Sequence, residues 1–219
     1  MRDPKYFFDS ELFLFQGIYS VWDALKNLST YLDELKLGQI EVKIPEGVFL
    51  ENSHLISVGE GTIIEPGAYI KGPALIGKGC QIRHGAYLRG SVIMEDGSVV
   101  GHSTEVKNSI LLKRAHAAHF NYVGDSILGE DSNLGAGVKC ANFRLDQGLI
   151  SVNMDGKKLE TGLLKLGLIL GDRSQIGCNS VTSPGTLIGK DVLCFPCMHI
   201  QGTIPSGLKR KLKQQFEDF

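Results

Sequence analysis

Apolar residues recur at every sixth position through the middle of the chain. A period of six fits neither an α-helix face, which repeats about every 3.6 residues, nor the two-residue alternation of a half-buried strand. It fits a parallel β-helix, in which each hexad supplies one strand and one corner, and three hexads close a triangular coil of about 18 residues. The positions are Val58, Ile64, Ile70, Ile76, Ile82, Leu88, Met94, Val100, Val106, Leu112 and Ala118.

The repeat tightens and then breaks in the second half of the chain. After Leu112 the spacing shortens, which predicts two shortened corners around His119. A segment at 143–162 holds two β-prone runs around a turn and predicts a hairpin that leaves the prism, and such insertions often border a site. The tightened positions are Ala118, Val123, Leu128 and Leu134, and the frame resumes at Leu170, Ile176, Thr182, Ile188, Cys194 and Ile200.

Two flanks fall outside the repeat. Helical spacing of apolar residues from Ser20 to Lys36, with Gly38 as a stop, predicts an amphipathic helix that caps the end of the solenoid. The basic sequence after Pro205 predicts a short helix at the other end. The expected organisation is therefore an N-terminal helical flank at 1–44, one all-β parallel β-helix domain at 45–204, and a C-terminal basic helix at 205–219.

Charge and composition exclude several classes of partner. The formal net charge of −1 over 219 residues gives no electrostatic footprint for nucleic acid. No apolar run reaches the length of a signal sequence or a membrane span, so we expect a cytoplasmic protein without membrane contact. Five cysteines, an odd number, favour reduced thiols over a disulfide framework.

Two patterns raise a metal site as an alternative. Cys194 and Cys197 have zinc-knuckle or redox-pair spacing, but no second pair accompanies them. The second alternative is a metal site like that of the prismatic carbonic anhydrases, formed by His84, His102 and His116. The spacing of these histidines differs from the ligand spacing of that family. We therefore predict no metal, with these histidines as surface or interface residues.

One pair of cations is placed by the repeat itself. Arg89 and Lys107 are 18 residues apart, so they stack on neighbouring coils about 4.8 Å apart. With no obvious acid at matching positions, their repulsion would be relieved by an anion such as a sugar phosphate. Two solvated surface cations remain the alternative.

Two motifs carry a resemblance to a known family. The segments His119–Asp125 (HFNYVGD) and Asn133–Gly137 (NLGAG) resemble the acetyltransferase domain of the bifunctional N-acetylglucosamine-1-phosphate uridylyltransferase/glucosamine-1-phosphate acetyltransferase. The stretch Ala141–Asp146 (ANFRLD) is similar to the archaeal-type sugar-1-phosphate nucleotidylyltransferase relatives. The resemblance covers roughly residues 45 to 205. It implies a left-handed β-helix, a homotrimer and sites between subunits.

The resemblance also implies roles for individual residues. A histidine would take a proton from the amine of an amino-sugar phosphate as the amine attacks acetyl-CoA, a role suited to a group that titrates near neutrality. No metal and no covalent nucleophile is required. By motif position, His119 is the base; Arg89 and Lys107 hold the phosphate; Tyr122, Asn133 and Lys165 contact substrate; and Ala136, Asn142, Phe143 and Cys178 line the acetyl-CoA groove.

The expected activity is thus CoA-dependent N-acetylation of an amino-sugar 1-phosphate or nucleotide amino sugar by direct transfer. Pyrophosphorylase activity is not expected, because the chain holds no Gly-rich signature followed by a phosphate-binding lysine. The alternative is a non-catalytic trimeric scaffold, or a regulatory partner of a separate sugar nucleotidyltransferase.

Overall fold

Three parallel sheets form the walls of a triangular prism. The computed structural model describes residues 2–154 and 156–210, with the side chain of Arg210 left out. Each wall has eight strands, and the chain visits the walls in the order face 1, face 2, face 3 on every coil. The predicted all-β parallel β-helix is confirmed.

The strands of face 1 are Phe49–Glu51, Tyr69–Lys71, Tyr87–Leu88, Glu105–Lys107, Tyr122–Gly124, Lys139–Cys140, Val181–Thr182 and His199–Ile200. Face 2 consists of Ile56–Val58, Ala74–Ile76, Val92–Met94, Ser109–Leu111, Ile127–Leu128, Leu168–Leu170, Thr186–Ile188 and Thr203–Ile204. Face 3 consists of Ile63–Ile64, Gln81–Ile82, Val99–His102, His116–His119, Asn133–Leu134, Gln175–Ile176, Leu193–Cys194 and Lys209–Arg210.

The inward frame slips by one residue in the middle of the chain. Met94 pairs with Leu111 and Val100 pairs with Ala117, so these coils contain one residue fewer than the preceding ones. The predicted inward positions Leu112 and Ala118 are therefore wrong, and their neighbours Leu111 and Ala117 lie in the core. The two shortened corners both lie between face 1 and face 2, at 107–108 and 124–126, rather than around His119.

The N-terminal segment covers face 2. Helix α1 spans Pro4–Phe7 and helix α2 spans Asp23–Glu34, with short 3₁₀ turns at Phe13–Phe15 and Ser53–Leu55. The apolar side of α2 shares one cluster with the outward side chains of face 2, which are themselves apolar and need cover. The helix therefore does not cap the end of the solenoid, as the sequence predicts, but lies along face 2. These outward side chains are Ile93, Ile110, Ile127, Ile169 and Leu187.

The inserted hairpin also packs on face 2. Its antiparallel strands are Ile150–Met154 and Lys157–Leu163. Ile150, Val152 and Met154 are buried in the cluster that holds α2. The predicted hairpin exists, but it folds back over the solenoid instead of leaving it.

Both ends of the β-helix extend beyond the expected bounds. Ile40 forms a parallel bridge with Val58, ahead of residue 45. Lys209–Arg210 is a strand paired with Leu193–Cys194, where the sequence predicts a helix. Residues 211–219 of that predicted helix lie outside the described residues. Neither helix in the described part of the chain has the length and apolar run needed to cross a membrane.

A buried carboxylate fixes the N-terminal segment to the solenoid. Asp172 Oδ2 accepts from the Asp9 backbone N–H at 2.6 Å, and Oδ1 accepts from the Glu130 N–H at 2.8 Å. Burial raises the pKa of the Asp172 carboxyl, and the two N–H donors act against that shift. Asp172 thus joins three distant parts of the chain.

We expect Asp172→Asn to lower the free energy of unfolding by about 2 kcal/mol, because an amide offers one acceptor oxygen to two backbone N–H donors. Urea denaturation measures the change. Asp96→Asn is the control, since Asp96 is exposed and, within residues 2–154 and 156–210, its side chain accepts only from the Lys78 N–H. It should change stability by less than about 0.5 kcal/mol. Equal effects of the two substitutions would contradict this role.

Candidate active site

Two corners of the prism border face 1. The first, here called the histidine corner, joins face 3 to face 1 and contains His119. The second, here called the anchor corner, joins face 1 to face 2 and contains Arg89 and Lys107. The sheet between them presents Glu105 and Tyr122 outward from paired positions. The predicted base and the predicted phosphate-binding cations therefore lie at opposite edges of one face.

The histidine corner stacks three predicted site residues in a column. The His119 carbonyl accepts from Gly137 N–H at 3.0 Å, and the Ala136 carbonyl accepts from Asn179 N–H at 2.8 Å. This register places His119, Ala136 and Cys178 on successive coils, about 4.8 Å apart at each step. The structure thus brings the predicted base together with two of the predicted cofactor contacts.

His119 lies on a fixed backbone with an open side chain. Its N–H donates to the Oδ1 of buried Asn121 at 3.1 Å, and Asn121 Nδ2 donates to the Gly135 carbonyl at 2.8 Å. The imidazole is exposed, and within the described part of the chain it makes no side-chain hydrogen bond. Both ring nitrogens are therefore available to a ligand.

Phe120, at the same corner, combines a left-handed backbone with an exposed ring. Its φ is 52°, in the left-handed region that bulky residues rarely adopt, and its side chain is 53% exposed. The ring lies edge-on to His102, with centroids 5.1 Å apart, and His102 stacks on His84 at 5.7 Å. Imidazole and phenyl rings thus line the corner below His119.

Both cations at the anchor corner have acidic partners. Arg89 pairs with Glu105 at 2.6 Å, and Lys107 pairs with Asp125 at 3.2 Å. The expectation of two cations without matching acids is therefore wrong. Glu105 is two residues before Lys107 and points to the same side of the strand, while Asp125 is one coil further on. Continuing the 18-residue spacing beyond Lys107 would have found Asp125.

Asn142 belongs to the anchor corner. Its side-chain amide donates to Asp125 Oδ2 and to the Tyr122 hydroxyl oxygen. Burial raises the pKa of Tyr122, so this phenol stays neutral at neutral pH. A Cβ at Gly124 would lie 2.6 Å from both polar tips, so a larger residue there would displace the Asn142 and Tyr122 side chains. The sequence expectation grouped Asn142 with Ala136, but the structure places it beside Tyr122.

The returning end of the insertion reaches this corner as well. Phe143 and Lys165 form an antiparallel bridge, and Lys165 Nζ lies 5.9 Å from the centroid of the Phe143 ring. The Gly167 N–H donates to the Asp125 carbonyl at 2.7 Å. The insertion therefore brings Lys165 and Phe143 to the anchor corner, although its hairpin covers face 2.

Asn133 and His116 lie on face 3, away from the anchor corner. Asn133 sits on face 3, paired with His116 and Gln175, so one chain does not bring it to face 1. Burial lowers the pKa of His116. Among residues 2–154 and 156–210, no three His, Cys, Asp or Glu side chains are grouped to hold a metal ion.

A comparison with known families decides the assignment of the chain. Residues 72–216 match the model of the GMPPB C-terminal domain. The chain belongs to this family. Membership in the GMPPB C-terminal domain family agrees with the resemblance carried by the HFNYVGD and NLGAG motifs.

Curated relatives of this family member are longer proteins. A bifunctional sugar-1-phosphate nucleotidylyltransferase/acetyltransferase of Sulfurisphaera tokodaii is 41% identical over 78 residues, which cover 36% of this chain and 20% of that protein. A bifunctional protein GlmU of Methanococcus maripaludis is 34% identical over 172 residues, 78% of this chain and 41% of that protein. The chain thus spans less than half the length of these relatives.

Among solved structures, a UDP-N-acetylglucosamine acyltransferase from Campylobacter jejuni is similar, with a TM-score of 0.49 and 17% sequence identity. The match covers 74% of this chain and 69% of that one.

Proposed function

We propose that this member of the GMPPB C-terminal domain family is a CoA-dependent acyltransferase that N-acetylates an amino-sugar phosphate on face 1. One observation carries the proposal: a column of His119, Ala136 and Cys178 borders the same face as the cations Arg89 and Lys107. Two curated relatives are named as carrying an acetyltransferase or as GlmU, which supports the reaction class.

His119 acts as the general base. The amine nitrogen attacks the thioester carbonyl, a C–N bond forms, and the C–S bond breaks to release CoA thiolate. The imidazole accepts the amine proton and passes it to the departing sulfur, so protons and electrons balance without a second reagent. The exposed ring with two free nitrogens suits both transfers. No covalent acyl-enzyme is needed.

The anchor corner binds the acceptor's phosphate. Arg89, Lys107 and Lys165 supply cationic donors, and charge-assisted hydrogen bonds to phosphate are among the stronger polar contacts. Glu105 pairs with Arg89 in the free protein, so an incoming phosphate competes with a carboxylate for this guanidinium. Sugar hydroxyls can then contact Tyr122 on the sheet between the two corners.

A homotrimer would complete the site. Asn133 faces outward on face 3, away from the anchor corner of its own chain. Face 2 is already covered by the chain's own N-terminal segment and hairpin, which leaves faces 1 and 3 for contact between copies. Face 3 of one copy against face 1 of another would bring Asn133 to the acceptor.

Turnover of acetyl-CoA tests the proposed reaction. The purified protein is incubated with acetyl-CoA and a panel of amino-sugar 1-phosphates and nucleotide amino sugars, and free thiol and acetylated product are measured together. Acceptor-dependent thiol release with matching product supports the proposal. Absence of thiol release with every acceptor, together with absence of acetyl-CoA binding, favours the scaffold alternative.

Thiol labelling locates the cofactor. Cys178 and Cys197 are exposed, whereas Cys80, Cys140 and Cys194 are buried, and burial raises the pKa of Cys140 to about 12. In a Cys197→Ser background, Cys178 is therefore the accessible thiol. We expect acetyl-CoA at ten times its dissociation constant to slow iodoacetamide labelling of Cys178 about tenfold, because occupancy covers the column.

Peptide mass spectrometry measures the labelling rate at Cys178. Acetyl phosphate is the control compound, since it carries an acetyl group without the CoA moiety and should give no protection. An unchanged rate at saturating acetyl-CoA would place the cofactor away from the His119–Ala136–Cys178 column.

A further inference from the structure

Asp125 is a buried carboxylate at the centre of the anchor corner. Its side chain is only 6% exposed. Oδ1 accepts from Asn108 Nδ2 at 2.8 Å, and Oδ2 accepts from Lys107 Nζ at 3.2 Å and from the Asn142 side-chain amide. One carboxylate thus connects three side chains that come from two other parts of the chain.

The backbone holds this carboxylate in a fixed place. Asp125 lies at a shortened corner with φ of 47°, in the left-handed region. Its N–H donates to the Lys107 carbonyl at 3.0 Å, and its own carbonyl accepts from Gly167 N–H at 2.7 Å. The residue is therefore bound to the preceding coil and to the chain returning from the insertion. Neither bond depends on a ligand.

We propose that Asp125 is a positioning residue for the acceptor site, fixing the Lys107 ammonium so that it presents donors toward face 1 and holding the Asn142 amide beside the Tyr122 hydroxyl. The identity of the acceptor rests on the proposed function, whereas the contacts of Asp125 do not. Asp125 acts through Lys107 and Asn142 and does not itself contact the reacting atoms.

The negative charge of Asp125 is the physical reason for this role. Arg89 and Lys107 stack on neighbouring coils and repel each other when no anion is bound. The Asp125 carboxylate offsets this repulsion for Lys107 and restricts the rotamers of a long side chain, whose ordering otherwise opposes ligand binding. Asp125→Asn keeps the shape of the side chain but removes its charge. A neutral amide oxygen accepts hydrogen bonds from Lys107 and Asn142 less strongly than a carboxylate oxygen does.

Asp125→Asn tests the proposal with two measurements. The first is the rate at which trace acetic anhydride labels Lys107, relative to exposed Lys43 in the same digest. We expect the Lys107 rate to rise at least about threefold, since a partly buried ion pair is lost. The second is steady-state kinetics with glucosamine 1-phosphate. We expect KM to rise about 10-fold to 100-fold with kcat within about twofold, because binding rather than chemistry is disturbed.

Asp191→Asn is the matched control. Asp191 also has φ in the left-handed region, at 58°, and also pairs with a cation 18 residues earlier, Arg173 at 2.8 Å, but it lies between face 2 and face 3. Its substitution should leave Lys107 labelling and both kinetic constants as in the wild type. Thermal unfolding of both variants measures any general loss of stability.

The outcomes separate this inference from the proposed function. A Lys107 labelling rate unchanged by Asp125→Asn overturns the inference, whatever the enzyme does. Faster labelling with unchanged KM also overturns it, because Lys107 would then be held without consequence for the acceptor. Faster labelling with raised KM supports it. If the wild type shows no turnover, the proposed function fails, and the labelling comparison alone decides whether Asp125 fixes Lys107.

Discussion

His119→Ala is expected to lower kcat for acetyl transfer about 10²-fold to 10⁴-fold, the usual contribution of a general base. The imidazole is exposed and makes no side-chain hydrogen bond within the described chain, so its removal should leave the fold and the acetyl-CoA affinity intact. Initial rates of thiol release, with circular dichroism and acetyl-CoA titration alongside, measure the effect.

His54→Ala is the matched control for this substitution. His54 is also exposed, but it lies in the 3₁₀ turn Ser53–Leu55, several coils before the histidine corner. Its removal should leave kcat within about twofold of the wild type. A His119→Ala protein that turns over as fast as the His54→Ala protein would remove the imidazole from the mechanism.

Gly101→Ala is expected to lower the free energy of unfolding by at least about 3 kcal/mol. A Cβ at Gly101 would lie 1.7 Å from the Ala118 carbonyl oxygen and 2.3 Å from its carbon, both backbone atoms that cannot rotate away. The coil that carries His119 would have to shift outward. Urea denaturation should show the loss of stability, and acetyl transfer should fall even where the variant remains folded.

Gly148→Ala provides the comparison for the loss of stability. There a Cβ would meet Arg144 and Asp146 side-chain atoms at 3.5 Å, which is ordinary van der Waals contact. This substitution should change stability by less than about 1 kcal/mol. If both alanine variants unfold at the same urea concentration, the close stacking of Gly101 on Ala118 is not the source of the coil's stability.

The hexad repeat predicts the inward-facing residues correctly up to Val106. The next two predicted inward positions, Leu112 and Ala118, are each one residue too late. The slip escapes a hydrophobicity pattern because Leu112 follows Leu111 and Ala118 follows Ala117, so both frames look apolar. The pairings of Met94 with Leu111 and of Val100 with Ala117 distinguish them. Leu112 is still buried, but by the N-terminal segment rather than by the core of the prism.

The position of the N-terminal helix could have been predicted from face 2. Several of its strands carry an apolar residue directly before the inward one, as in Ile93 before Met94 and Ile110 before Leu111. Adjacent strand residues point to opposite sides, so these positions require cover from outside. The periodicity of α2 indicates an amphipathic helix but does not say which surface it packs against.

The candidate site was predictable in its parts rather than in its arrangement. The 18-residue spacing placed Arg89 over Lys107, and the motif resemblance supplied His119. The location of Asn142 could not be predicted, because it depends on where the insertion leaves the prism. The carboxylates of Glu105 and Asp125 lie close in sequence to Lys107 or one coil beyond it, but the hexad pattern alone does not pair them with the two cations.

The proposed function requires that His119 and the two stacked cations serve one reaction on face 1. A crystal structure with CoA and glucosamine 1-phosphate tests it most directly. We expect the CoA sulfur beside the His119 ring and the phosphate within hydrogen-bond distance of Lys107 or Arg89, counting every copy in the assembly. A CoA or a phosphate bound away from face 1 would contradict it.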